Sequence, residues 1–221
     1  MTDPKPVRID YFSDVLCVWA YLTQVRIDEV VAHFGSAVEI AHRACSVFGD
    51  TARKIGEGWR QRGGYEGFNA HLLEIAARFD HIHIHPDVWL SVRPPTSESA
   101  HLAIAAAGLW ERDAAPRLAW RVRRAFFEEC RDVARRDVQC ALAEEVGIPP
   151  AEISARIGSG EAFAALAADH QERDRLRVEG SPTFVLNEGR QKLYGNVGYR
   201  VIEANVQELL RAPEGEAASW C

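Results

Sequence analysis

Apolar and polar positions alternate over Val7-Arg-Ile-Asp-Tyr-Phe12, the period-2 signature of a β-strand. Ser13 to Leu16 read as a loop. The period then changes: Tyr21, Leu22, Val25, Ile27, Val30, Val31 and Phe34 recur near helical spacing. They predict an amphipathic helix from about Cys17 to Phe34, stopped by Gly35, a residue that tolerates positive φ. Ala37-Val-Glu-Ile-Ala-His42 alternates again as a second strand. The three segments form a βαβ unit, whose crossover should be right-handed.

From about Gly49 to Arg175 the chain reads as helices. Phe68, Leu72, Ile75, Ala76 and Phe79 share one face of a predicted helix over 65–79. Pro94-Pro-Thr-Ser-Glu98 is a helix entry leading into an alanine-rich run through Leu109. Asp113 with Pro116 opens a further helix reaching Cys130. Asp137 caps a short one ending at Gly147, Pro149-Pro150 starts the next, and a last runs over about 161–176. Strand patterns return at Thr183–Asn187 and Gln191–Tyr194, joined by Glu188-Gly-Arg190 as a hairpin. A final helix is predicted from about Tyr199 to Leu210. The order βαβ, helical block, ββα points to one α/β sheet interrupted by helices rather than two consecutive domains. The expected units are 1–48 with 176–212, a helical insertion over 49–175, and a tail over 213–221.

The net charge of −6 among 221 residues argues against a nucleic-acid footprint, which would be basic. No apolar run approaches the roughly 20 residues needed to cross a bilayer. The opening Met1-Thr-Asp-Pro-Lys-Pro6 lacks the basic and apolar regions of a signal peptide, so a cytoplasmic location is expected. Five cysteines, Cys17, Cys45, Cys130, Cys140 and Cys221, form an odd set with no metal-like close pair. In a reducing compartment they are expected as free thiols. Cys130 and Cys140 fall in helical patterns and read as small buried hydrophobes.

Cys17 stands where the first strand hands over to the first helix. A thiol there meets unpaired backbone N–H groups and the positive end of the helix dipole. Both favour thiolate, so its pKa is expected below the free value of about 8.5. Asp14 should oppose the shift, and the Val18 N–H should add one donor. The competing reading is a buried, inert cysteine. A second element is Gly180-Ser-Pro-Thr-Phe-Val185. Proline at the head of a strand withholds a backbone donor, and a cis Ser181–Pro182 bond would turn the Ser181 backbone toward a ligand.

The segment Asp10-Tyr-Phe-Ser-Asp-Val-Leu-Cys-Val-Trp-Ala-Tyr-Leu22 resembles the active-site strand and helix start of the DsbA-like thioredoxin superfamily. Val178-Glu-Gly-Ser-Pro-Thr-Phe-Val185 resembles that family's cis-proline loop. The helical block falls where these proteins carry their insertion. The resemblance thus spans nearly the whole chain and implies a thioredoxin-like fold, with Cys17 as nucleophile, Trp19 shaping the entrance and Ser181-Pro182 aligning a thiol or disulfide substrate. The family's Cys-x-x-Cys is here Cys17-Val-Trp-Ala20. Ala20 cannot resolve a mixed disulfide, so the implied activity is monothiol exchange, completed by a small thiol or by Cys221.

Related branches, the 2-hydroxychromene-2-carboxylate isomerases and kappa-class glutathione transferases, hold glutathione on the same scaffold. Gly195-Asn196 loosely resembles the Gly-Asn those isomerases place near the glutathione carboxylates. A glutathione-dependent isomerase or transferase is therefore the alternative, and a thioredoxin-like binding module without turnover is a third. No cofactor is obligatory in the leading reading. Neither nucleic acid nor membrane is expected as a partner. Cys45, just after the second strand, is a weaker thiol candidate. In His81-Ile-His-Ile-His85, alternation could set three imidazoles on one side as metal ligands. Exposed histidines alternating with buried isoleucines describe a surface segment equally well, and no metal is expected. Arg121, Arg123, Arg124, Arg131, Arg135 and Arg136, offset by Glu128, Glu129, Asp132 and Asp137, read as a solvated, salt-bridged face.

Overall fold

The computed structural model describes residues 5–211. Four strands, β1 (Val7–Ser13), β2 (Val38–Ala44), β3 (Thr183–Leu186) and β4 (Gln191–Tyr194), form one sheet in the order β2-β1-β3-β4. β2 runs parallel to β1, while β3 and β4 are antiparallel to their neighbours. Strand β1 is central and buried on both faces from Ile9 onward. That explains why Asp10, polar by pattern, sits inside: Arg8 and Arg43 both pair with its carboxylate.

Helix α1 (Val18–Phe34) makes the parallel crossover. Together with α9 (Tyr199–Arg211) it covers one sheet face, Ile27 and Val30 meeting Ile202, Val206 and Leu209 over Ile9, Tyr11 and Phe184. The opposite face carries Phe12 and Val185 with Cys45, Leu176 and Val178. Not all of the predicted apolar face of α1 is used. Val25 and Val31 are exposed, because a helix lying on a sheet buries a narrower stripe than the full apolar pattern offers.

The segment between β2 and β3 contributes no strand to the sheet among the described residues. Its helices are α2 (Gly64–Ala76), α3 (Val88–Ser91), α4 (Glu98–Trp110), α5 (Ala114–Phe127), α6 (Arg136–Glu145), α7 (Pro150–Gly158) and α8 (Glu161–Arg175). The largest apolar cluster is shared: Val15 to Leu22 pack with Trp89, Phe126, Phe127 and Leu118. Tyr21 stacks on Phe127 at 4.8 Å between centroids.

Several expectations need correction. The helix entered at Asp113 ends at Phe127, and Cys130 lies beyond it with φ 54°. Cys130 and Cys140 are half-buried rather than buried. Asp137 does not cap α6 but occupies its first turn, paired with Arg135. Residues 81–85 form no strand. Ile84 is buried and His81 and His83 exposed, and no metal-ligating group of side chains occurs among the described residues. Arg123 is not on the solvated face; it is almost completely buried. No described helix is long and apolar enough to cross a membrane. A turn of wide, π-type helix over Ala52–Glu57 and the short α3 carry no periodic signal and were not expected.

Candidate functional site

Cys17 is the N-cap of α1, with extended backbone (φ −86°, ψ 116°). Its carbonyl accepts from the N–H groups of Ala20 and Tyr21, closing the first turn. The Ser181–Pro182 peptide is cis, and both residues are buried. Ser181 links the two halves of the site. Its Oγ accepts from the Asp14 N–H at 2.8 Å, and its carbonyl accepts from the Cys17 thiol at 3.3 Å. A single residue of the proline loop thus fixes both the loop before the helix and the sulfur at its start.

The thiol opens onto a cavity of about 240 Å³, walled by Trp19 and Ser181 and, from the helical block, by Trp59, Phe68 and Leu72. Tyr194 of β4 closes another side. A Cβ at Gly180 would come within 2.7 Å of the Tyr194 ring, so a larger residue there would push that exposed ring aside. Lys54, His71 and Glu179 bring charge or polarity to a largely apolar wall, aromatic and aliphatic, and Lys54 lies over the Phe48 ring.

Below the thiol lies a buried polar network. One Asp14 carboxylate oxygen accepts from the Leu16 N–H, the other from the Phe48 N–H and the Ser97 hydroxyl, each at 2.8 Å. The Val15 N–H donates to His101 Nε2, so that nitrogen carries the lone pair, and Nδ1–H is left to donate to Ser46 Oγ. This is the neutral imidazole. Burial lowers its pKa to about 3, with the charge of Arg123 adding to the shift. Burial also raises Asp14 to about 6, against the lowering effect of its hydrogen bonds.

The acidity expected of Cys17 is overturned. Its exposure is only 5%, and loss of solvent pushes the thiol pKa above the ordinary value. The hydrogen bond with Ser181 and the N–H groups of Ala20 and Trp19 work the other way, while the Asp14 charge adds to the rise. The helix-terminus donors are therefore present, but they come from Trp19 and Ala20 rather than Val18, and desolvation outweighs them. Burial also pushes the Cys45 thiol up, to about 12.

Of the residues singled out from sequence, Cys17, Trp19 and Ser181 line one cavity; Pro182 is outside that lining, buried and joined to Ser181 by the cis bond. Asn196 is not among them: it is exposed, and its Oδ1 accepts from Arg26 at 2.6 Å. Cys221 lies outside the described residues. Trp59, Phe68, Lys54 and the Asp14–His101–Ser97 network went unrecognised. Spacing set Phe68 on a helix face without saying what it covers, and it carries no trace of Lys54 and Trp59, which come from short irregular turns.

The DSBA-like thioredoxin domain matches residues 8–207. The chain belongs to the DsbA-like thioredoxin family. Members of this DsbA-like family are thiol-disulfide oxidoreductases. A curated relative, the ClpXP adapter protein SpxH of Halalkalibacterium halodurans, is 25% identical over 217 residues, 93% of this chain and 68% of that protein. Among solved structures, a Nitrosomonas europaea protein assigned as a protein disulfide isomerase superposes with TM-score 0.77 at 16% identity, covering 95% of this chain and all of the other. The cytosolic disulfide reductase DsbM of Pseudomonas aeruginosa gives 0.68 at 21%, covering 90% and 98%. That reductase has also been solved with GSH. These DsbA-like likenesses, below 25% identity, speak for the fold.

Proposed function

We propose that this DsbA-like chain is a cytoplasmic monothiol oxidoreductase in which Cys17 exchanges with a small or peptide-borne disulfide. The observation that carries the reading is the Cys17 thiol held on the Ser181 carbonyl at the mouth of an aromatic cavity, with fully buried Ala20 at the position of a second cysteine. Cys17 loses its proton, and the thiolate attacks one sulfur of R–S–S–R′. The Cys17–S–S–R bond forms and R′S⁻ leaves. The thiolate of a small thiol such as glutathione (GSH) then attacks the R sulfur of the adduct, forming GS–S–R and releasing Cys17 as thiolate; Cys221 would instead attack the Cys17 sulfur, expelling RS⁻ and leaving a Cys17–Cys221 disulfide that two external thiols reduce. The Ser181 backbone aligns the partner, Trp19 and Trp59 flank its side chains, and Lys54 offers a cation to a carboxylate.

The buried, weakly acidic thiol favours a second reading: a binding module that captures thiol-bearing or peptide ligands without turnover. The adapter role named for the Halalkalibacterium relative is in keeping with it. The isomerase or transferase reading drew in part on Gly195-Asn196; Asn196 lies outside the thiol cavity's lining and its Oδ1 accepts from Arg26.

The test is exchange with glutathionylated peptide, followed by mass spectrometry of protein purified without reductant. Monothiol chemistry predicts turnover, an adduct on Cys17, and loss of both in Cys17→Ser. Saturable peptide binding with neither adduct nor turnover would establish the binding module instead.

A further inference from the structure

A second cavity, of about 310 Å³, lies on the far side of the Cys17 loop, between β1–β2 and helices α4, α5 and α8. Small apolar residues line its helical side: Ala105 and Gly108 from α4, Ala115 and Ala119 from α5, Ala165 and Ala168 from α8; the ion pair of Arg43 and Asp169 shares the lining. Short side chains at these positions on three helices leave the space open. Leu109, which is exposed, shares the lining, so the cavity reaches solvent.

Arg123 lines the same cavity with 1% of its surface exposed. Its Nη2 donates to Ser13 Oγ at 2.7 Å, and its Nε is buried with no partner. A guanidinium cannot shed its charge, and a buried charge is costly unless paired. Among the described residues no carboxylate pairs with it. Asp10 is taken by Arg8 and Arg43, Asp169 by Arg43 and the Ala44 N–H, and Asp14 by two backbone amides and Ser97. The histidines in the lining supply no further charge: burial holds His42 at about 4 and His101 at about 3. His42 Nδ1 is itself buried without a partner. The cavity therefore joins a buried, fork-shaped cation with no carboxylate in salt-bridge reach, its charge met only at longer range by buried Asp14, and an unused imidazole nitrogen to a compact apolar wall.

We propose that this cavity binds a small organic monocarboxylate, its carboxylate on Arg123 and its apolar body against the alanines of α4, α5 and α8. A guanidinium matches a carboxylate in plane and spacing, and ligand pockets of this kind start at about 300 Å³, which limits the ligand to a short chain or a single ring. The site is separate from the thiol cavity, but His101, which lines it, also holds the Val15 N–H in the loop before Cys17.

Calorimetric titration of the full chain with benzoate and hexanoate, and with benzamide and hexanamide as neutral analogues, tests the proposal. Saturable binding of one carboxylate per chain is expected, with the amides weaker by about tenfold or more. Arg123→Gln should lose a similar factor. Because that variant removes a buried group and can disturb packing, Ala165→Leu provides a second arm: it keeps Arg123, fills the apolar wall, and should abolish binding. The Arg123 Nε resonance should shift when benzoate is added to the unmodified protein. Equal binding of amide and carboxylate, full affinity in Ala165→Leu, chloride competing as well as hexanoate, or no saturable binding at millimolar ligand would each overturn the assignment.

Discussion

At the scale of single residues, the site is governed by burial acting on neighbours. Cys17, Ser181 and Pro182 could be singled out because their two segments resemble a family's active-site strand and proline loop; position alone left Cys17 open between a nucleophile and a buried, inert thiol. The sign of the Cys17 shift was not legible, because desolvation comes from Trp59, Phe68 and other residues far away in sequence. In a variant retaining only Cys17, the alkylation rate should therefore rise with pH to an inflection above that of a free cysteine, about 8.5; an inflection below it would show that the helix-terminus donors win. Asp14 and His101 make a second, opposed pair. Asp14 goes from 3.8 to about 6 on folding, so its contribution is full below 3.8 and is lost as pH rises through 6. His101 goes from 6.5 to about 3, so its contribution is full above 6.5 and is lost as pH falls toward 3. Each amounts to about 1.4 kcal/mol per pH unit inside its window, and between pH 4 and 6 they cancel. Urea midpoints should show this: Asp14→Asn makes stability climb with pH across that interval, and His101→Asn makes it fall. Parallel curves for the two variants would refute the opposition.

At the scale of elements, long periodic segments could be read from spacing and short irregular ones could not. Helices α1, α2, α4, α5, α7, α8 and α9 each announce themselves by an apolar stripe, a capping residue or a proline. The turns over 51–63 and α3 do not, since pieces of four to six residues or fewer span at most about one and a half turns and cannot show a repeat. Yet these elements place Trp59 at the cavity and Trp89 beneath it. Trp89 is fully buried, 5.8 Å from Phe48, 5.7 Å from Phe68 and 5.0 Å from Phe126 by ring centroids. Its Nε1 makes no hydrogen bond, so its contribution is one of volume alone. Trp89→Ala should cost about 3–5 kcal/mol. Trp89→Phe, which loses less volume and no hydrogen bond, should cost clearly less. As Phe48 and Phe68 both line the thiol cavity, the alanine variant should also speed Cys17 alkylation at fixed pH, whereas a purely remote destabilisation would leave that rate unchanged in the native baseline.

At the scale of the whole molecule, the βαβ and ββα halves followed from pattern alone, as did the absence of strands from the block between them. The sharing of one core by block and sheet domain did not, because periodicity assigns a face to each helix without naming what covers it. Val15, Leu16, Tyr21 and Leu22 have their apolar partners inside the insertion. Replacing residues 49–175 by a short linker should therefore give a chain with no cooperative unfolding transition by circular dichroism; a cooperative melt would show that the sheet domain stands alone. The same architecture sets a schedule for biosynthesis. Strand β1 is made first, but its second neighbour, β3, is made almost last: Asp14 and Ser181, which flank that pairing, are 167 residues apart. At ribosomal speeds of 5–20 residues per second the free edge of β1 waits on the order of 10–30 s. Two nascent chains that meet in that interval can trade their β3–β4–α9 segments, each completing the other's sheet with native contacts. The route to an exchanged dimer is thus written into the strand order β2-β1-β3-β4 itself.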